Sequence, residues 1–168
     1  IKKEFPQLNI FVQPNSGDAG GAIGAALYAN MKYNKDFENI KLINPYLGPA
    51  YTNQFIKNNI IKKIENNNKI KVVYYENFND LTKFIASRIL LNNVVGWFQD
   101  SMEWGPRALG NRSILANPKT PNMKDIINLK IKKREEFRPF APAILEEEVS
   151  NYFDGNTNNL EYMSYVVN

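Results

Sequence analysis

The sequence predicts an α/β or α+β fold, and three observations carry that expectation. Short apolar runs of strand length, at residues 9–12, 71–75 and 94–99, alternate with stretches of helical periodicity. Clusters of Gly, Pro and Asn punctuate the chain between them. Across 168 residues, 43% hydrophobic and 12% aromatic content is enough for a core of domain size.

The elements follow in order. Residues 9–12 form an apolar run that stops at Pro14, read as a buried strand. The turn-rich loop Asn15-Ser16-Gly17-Asp18-Ala19-Gly20-Gly21 leads into a helix of small residues over 22–29. Asn44-Pro45-Tyr46-Leu47-Gly48-Pro49 is a turn or linker. Phe55, Ile56, Ile60 and Ile64 share one face of a short helix. Residues 71–75 predict a strand. Asn79 or Asn77 then caps a helix to about Asn92, with Leu81, Phe84, Ile85 and Ile89 inward. Residues 94–99 predict the next strand and 100–118 a long loop. Residues 123–133 predict a helix with Ile126, Ile127 and Ile131 inward. Pro139 and Pro142 hold 137–142 extended, and 143–153 reads as strand then short helix. Trp97, Phe98 and Tyr152 are expected in the core.

Composition narrows the chemistry. The chain has no Cys and no His, which excludes disulfides, thiolate metal sites, and His-built metal sites or nucleophilic pairs made from this chain alone. Net charge is +4 and the pI is near 9.1, a mild basicity that suits an anionic ligand. No apolar run approaches the ~20 residues of a membrane span. The opening residues carry no signal-peptide pattern and no initiator Met, so the chain reads as a piece of a longer cytoplasmic protein.

Three segments concentrate polar function. In residues 14–26, small residues let a backbone or a phosphate approach closely, and Asp18 can hold a metal or a ribose hydroxyl, or simply cap the helix. In Glu103-Trp104-Gly105-Pro106-Arg107-Ala108-Leu109-Gly110-Asn111-Arg112-Ser113-Ile114, two guanidiniums stand five residues apart between two glycines. Arginine holds phosphate or carboxylate oxygens through paired hydrogen bonds, and Asn111 and Ser113 can fix a small planar group. Glu103 can hold an arginine in place or help coordinate Mg²⁺. The competing reading is an exposed loop pinned by one Glu–Arg pair. In residues 132–142, a basic helix end meets a rigid aromatic–proline stretch. There Lys133 suits the helix dipole, and Arg134 and Arg138 are candidates for phosphate contacts.

In that order, the three segments resemble the carbamoyltransferase family of nodulation-factor and antibiotic O-carbamoyltransferases. The closest stretch is 96–142, above all Glu103-x-Gly105-Pro106-Arg107-Ala108-Leu109-Gly110-Asn111-Arg112-Ser113-Ile114 and Arg134-Glu135-x-Phe137-Arg138-Pro139-Phe140-Ala141-Pro142. The resemblance implies two domains. Residues 1–45 would be the strand–loop–helix end of an actin-like ATPase-fold domain, with its linker. Residues 46–168 would be a YrdC-like domain with a twisted mixed sheet and helices, truncated at its end. It implies that the second domain combines ATP, with Mg²⁺, and carbamoyl phosphate into carbamoyl-adenylate. The amino-terminal domain of the same protein would then pass the carbamoyl group to a hydroxyl of a small-molecule acceptor. It further implies that Arg107, Asn111, Arg112 and Ser113 are catalytic, and that Lys133, Arg134, Arg138 and Glu103 bind substrate or nucleotide. Asp18 would ligate a divalent metal, iron or similar, whose histidine partners lie outside this chain. Asp100-Ser101 departs from the glycine and basic residue usual in the family.

Two rival readings come from other classes. An RNA-binding YrdC-like module would spread basic residues along a face with exposed aromatics for stacking. Here the arginines are confined to Gly- and Pro-bounded loops, which argues against nucleic acid. A non-catalytic docking domain leaves the polar density of 103–113 unexplained.

Overall fold

A computed structural model of the chain describes residues 1, 4–34, 44–64, 66–154 and 160–167. Part of the expected 1–45 segment, residues 35–43, lies outside the described residues. The chain is α+β and forms two compact units, neither continuous in sequence. The first comprises Ile1–Gly48, Glu103–Leu109 and Ala143–Asn168, and the second Pro49–Met102 and Gly110–Pro142.

In the first unit the regular elements are α1 (Gly20–Tyr33), a 3-10 turn (Glu146–Glu148) and a short helix, α6 (Val149–Tyr152). Helix α1 begins where a bare Cα is needed, because a Cβ on Gly20 would lie 2.7 Å from the carbonyl oxygen of Asn15. Its N-cap is Ala19, which makes no side-chain cap, so the capping role considered for Asp18 is not taken. Residues 9–12 form no strand. A strand needs a neighbouring backbone to pair with. None among the described residues supplies one, and Phe11 stands 74% exposed. The strand expected at the start of 143–153 is likewise absent, and the short helix after it is present.

The second unit carries the sheet. Here α2 (Asn53–Ile56) runs through a π-helical stretch (Lys57–Ile61) into α3 (Lys62–Ile64), and Thr52 caps its start by accepting the Phe55 N–H at 3.2 Å. Helix α4 (Phe78–Leu90) is capped by Asn77, whose Oδ1 accepts from the Asn79 N–H at 2.8 Å. Asp80 in its first turn and Arg88 in its last complement the helix dipole. Leu81, Ile85 and Ile89 are half-buried, as their spacing predicts, whereas Phe84, expected beside them, is exposed. Strand β1 (Val95–Phe98) pairs antiparallel with β2 (Arg112–Leu115), setting Trp97 against Ser113 and Phe98 against Arg112. Among the described residues this two-stranded ladder is the sheet, in place of the larger mixed sheet expected. The expected loop 100–118 therefore contains a strand. The run at 71–75 makes no ladder, although the Tyr75 ring meets Phe84 at 5.7 Å.

Helix α5 (Met123–Ile126) continues as a π-helix (Ile127–Lys132) and ends at Lys133 in the left-handed region, φ 50°. Met123 and Ile127 are buried, each contributing on the order of 1.5–3 kcal/mol through burial. Trp97 packs edge-on against Phe78 at 6.2 Å, but Phe98 is 46% exposed and Tyr152 70%, so neither fills the interior role expected of it.

Because Asn77 satisfies an otherwise unpaired helix donor, Asn77→Ala is expected to cost about 1 kcal/mol in urea denaturation. A midpoint equal to wild type would show that this cap contributes nothing.

Candidate functional site

The first half of the Glu103–Ser113 motif lies in the first unit and is organised by the Glu103 carboxylate. Glu103 is only 3% exposed, and its Oε1 accepts the Leu109 N–H at 2.7 Å. From the other side, the Tyr46 hydroxyl donates to the Leu109 carbonyl at 2.9 Å. Leu109 is thus held by both backbone polar groups. The neighbouring Trp104 N–H donates to Pro45 O at 2.9 Å, tying the loop to the 44–49 turn. A small open cleft in this unit is lined by Asn15, Pro45, Glu103, Gly105, Arg107, Leu109 and Tyr162. Gly105 is required here, since a Cβ would fall on the Asn15 carboxamide. The Asn15 Nδ2 and Trp104 Nε1 donors are buried and meet no acceptor among the described residues. Burial, then the Glu103 charge, then Tyr162 hold the Tyr46 phenol above its ordinary value of 10.0.

The second half of the motif lies in the second unit and is built on β2. Gly110 takes φ +117°, which only glycine adopts readily, and the Gln99 N–H donates to Asn111 O at 2.9 Å to extend the ladder. The Asn111 side chain donates to Ser101 O at 2.7 Å and accepts from Gln99 Nε2 at 3.3 Å. Gln99 in turn accepts from Trp97 Nε1 at 2.9 Å. Asn111 therefore braces the connection between the strands, and Arg112 and Ser113 follow as half-buried residues of β2. Asp100 in this connection takes φ 48°. That is the backbone region favouring glycine and tolerated by Asp.

The basic loop after α5 is also in the second unit. The Arg134 guanidinium lies 4.7 Å over the Phe140 ring, a cation–π contact. Its Nε–H donates to Asn128 Oδ1 at 2.7 Å and Nη2 reaches Pro139 O at 3.5 Å. Arg138 is exposed and paired with Glu135, Nε to Oε2 at 2.7 Å. A backbone hydrogen bond first, and Arg138 second, hold the Glu135 carboxyl below its ordinary 4.5. Lys133 is exposed, and its N–H donates to Asn128 O as it closes the helix.

Asp18 is exposed on the turn before α1. Among the described residues no three Asp or Glu side chains converge on a point that could hold a metal. Asp18 alone offers one carboxylate there.

The structure thus groups Glu103 with Arg107 in one unit. It places Asn111, Arg112, Ser113, Lys133, Arg134 and Arg138 in the other. Sequence reasoning missed Asn15, Tyr46 and Asn128. Asn128 carried a legible signal, a carboxamide between two apolar residues on a face otherwise expected to be buried. Tyr46 and Asn15 carried none, because their partners are distant in the chain.

Residues 86–168 match the family model described as Carbamoyltransferase C-terminus. The chain is 44% identical over 151 residues to the uncharacterized protein sll1178 of Synechocystis, covering 87% of this chain and 24% of that one. It is 39% identical over 161 residues to nodulation protein NolO of Bradyrhizobium diazoefficiens, covering 95% and 28%. Against the uncharacterized protein MJ1058 of Methanocaldococcus jannaschii the identity is 38% over 155 residues, covering 92% and 25%. The chain spans about a quarter of the length of these relatives. The matched domain is the family's carboxy-terminal one. The chain belongs to the carbamoyltransferase family.

Removing the hydroxyl in Tyr46→Phe is expected to cost about 0.5–1 kcal/mol at pH 7 by urea denaturation, a modest loss because the residue is 37% exposed. The folded state favours the neutral phenol. Its contribution is therefore complete below pH 10.0 and fades as pH rises through the raised folded value. The gap between wild type and Tyr46→Phe should narrow above pH 10.0, and a gap that widens there would contradict the assignment.

Proposed function

We propose that this chain is part of a carbamoyltransferase that binds ATP and carbamoyl phosphate, forms carbamoyl-adenylate, and delivers the carbamoyl group to a hydroxyl of a small-molecule acceptor. The observation that carries the reading is the family membership combined with how the motif arginines are held. Arg112 is anchored on a strand, and Arg134 is braced between a buried carboxamide and an aromatic face. Such bracing keeps a guanidinium oriented for the paired hydrogen bonds that phosphate oxygens accept.

Making carbamoyl-adenylate from these two substrates takes two bond exchanges. Water cleaves the P–O bond of carbamoyl phosphate, releasing inorganic phosphate and leaving carbamate. A carbamate oxygen then attacks the α-phosphate of ATP, forming one O–P bond as the bond to pyrophosphate breaks. Charge builds on phosphoryl oxygens in that step, so fixed cations and alignment do the work and no protein nucleophile is required. In this reading Arg107, Arg112, Arg134 and Arg138 neutralise phosphate oxygens, with Lys133 at the helix end. Asn111 and Ser113 orient the planar carbamoyl group, and Glu103 holds the Arg107 loop in shape. Mg²⁺ accompanies ATP. Asp18 would give one ligand to a divalent metal, iron or similar, completed by residues outside this chain. We further propose that residues 46–168 form the YrdC-like domain and 1–45 the end of an actin-like domain, and that the protein works in the cytoplasm. Among the described residues no helix is long and apolar enough to cross a membrane.

The reading predicts ATP–pyrophosphate exchange that depends on carbamoyl phosphate, measured on the full-length protein. Arg107→Ala and Arg112→Ala should each lower the exchange about a hundredfold without loss of fold. Exchange that proceeds without carbamoyl phosphate, or folded variants as active as wild type, would refute it.

A further inference from the structure

Asn128 is fully buried, with 0% of its surface exposed, and no titratable or catalytic role was foreseen for it. Its side chain is a three-way joint in the second unit. The Nδ2 amide donates to Glu136 O at 3.2 Å and to Arg138 O at 2.9 Å. The Oδ1 accepts Arg134 Nε–H at 2.7 Å. The Asn128 carbonyl also accepts the backbone N–H groups of Lys133 and Arg134. One residue of the π-helix therefore reaches every turn of the loop from Lys133 to Arg138.

The consequence falls on Arg134. With Nε–H on Asn128, Nη2 toward Pro139 and its plane over Phe140, the guanidinium has both its edge and its face fixed. Nη1 makes no hydrogen bond among the described residues, so the two N–H groups at the far end are left for an oxyanion. A flexible arginine would lose rotamer freedom on binding, while one held in place beforehand loses less.

We propose that Asn128 is the positioning residue of this anion site: it sets the Arg134 guanidinium, through Nε, to receive phosphate oxygens of carbamoyl phosphate or the nucleotide. This rests on the function proposed above and adds to it a residue that touches no ligand.

The test is a double-mutant cycle on the full-length protein, reading carbamoyl phosphate affinity by calorimetry and KM against kcat in the exchange assay. Asn128→Ser is too short to reach Nε and removes the acceptor that sets Arg134. Asn128→Asp keeps that acceptor and loses only the N–H donors to the loop carbonyls, so it is the milder variant. Expected for Asn128→Ser is an affinity loss of about tenfold, the scale of one hydrogen bond to a charged group, carried by KM more than kcat, with a smaller loss for Asn128→Asp. In an Arg134→Ala background Asn128→Ser should change affinity less than twofold, because its effect runs through Arg134. Equal losses in both backgrounds would make Asn128 merely structural and overturn the positioning role alone. An Arg134→Ala protein with wild-type affinity would sink the anion reading of the loop, and the positioning role with it. If neither Asn128 variant folds, Asn128 belongs to the fold and the proposal falls.

Discussion

A polar group taken out of water must find partners inside the protein, and each compact unit is arranged around one such group. Leaving a buried amide or carboxylate unpaired costs several kcal/mol, more than most single contacts return. In the second unit the group is the Asn128 carboxamide, and the path of the loop from Lys133 to Arg138 is the path that brings carbonyls and a guanidinium to it. In the first unit it is the Glu103 carboxylate, which turns the 103–109 loop inward so that the Leu109 N–H can reach it. Neither group is an obvious anion ligand, since both face inward. Both are placed within a few residues of arginines that face outward. The apolar core by contrast is small, with Met123 and Ile127 its buried hydrophobic members among the described residues. Polar pairing therefore decides the shape of the loops more than packing does.

What could be read from the sequence follows from where each element draws its support. Helix α4 was legible because its cap, its charge placement and its apolar face are all local. Helix α5 was legible from Ile126 and Ile127, although Asn122 makes no side-chain cap, Ile131 is exposed rather than inward, and the shift to π geometry at Ile127 was not legible, since nothing in the periodicity distinguishes the two. Strand β1 was legible as an apolar run, whereas β2 was hidden. Arg112 and Ser113 look like loop residues until β1 provides the backbone partner that makes them a strand. The runs at 9–12 and 71–75 show the converse, since apolar content without a partner yields no ladder. In the candidate site, the arginines were found by charge and the glycines by turn chemistry. Asn128, which holds Arg134, showed as a carboxamide in an apolar run, whereas Tyr46 acts on the Leu109 carbonyl 63 residues away, and an isolated Tyr carries no sign of that.

The hidden strand also changes what the motif means. As a loop, Gly110-Asn111-Arg112-Ser113 would be a mobile set of polar groups gathered by a ligand. As the start of a ladder it is a fixed set. The positive φ of Gly110 turns the chain, Asn111 is held by Ser101 and Gln99, and Arg112 and Ser113 take alternate sides of the ladder because successive strand residues do. Arg112 and Ser113 therefore cannot both approach one ligand atom from the same face. The burial of Asn111's bonds within the turn makes it a brace for that division. A single displaced residue in β2 would exchange the two faces, which explains why the turn before it is held by a glycine, a carboxamide and a left-handed Asp100 together rather than by one of them.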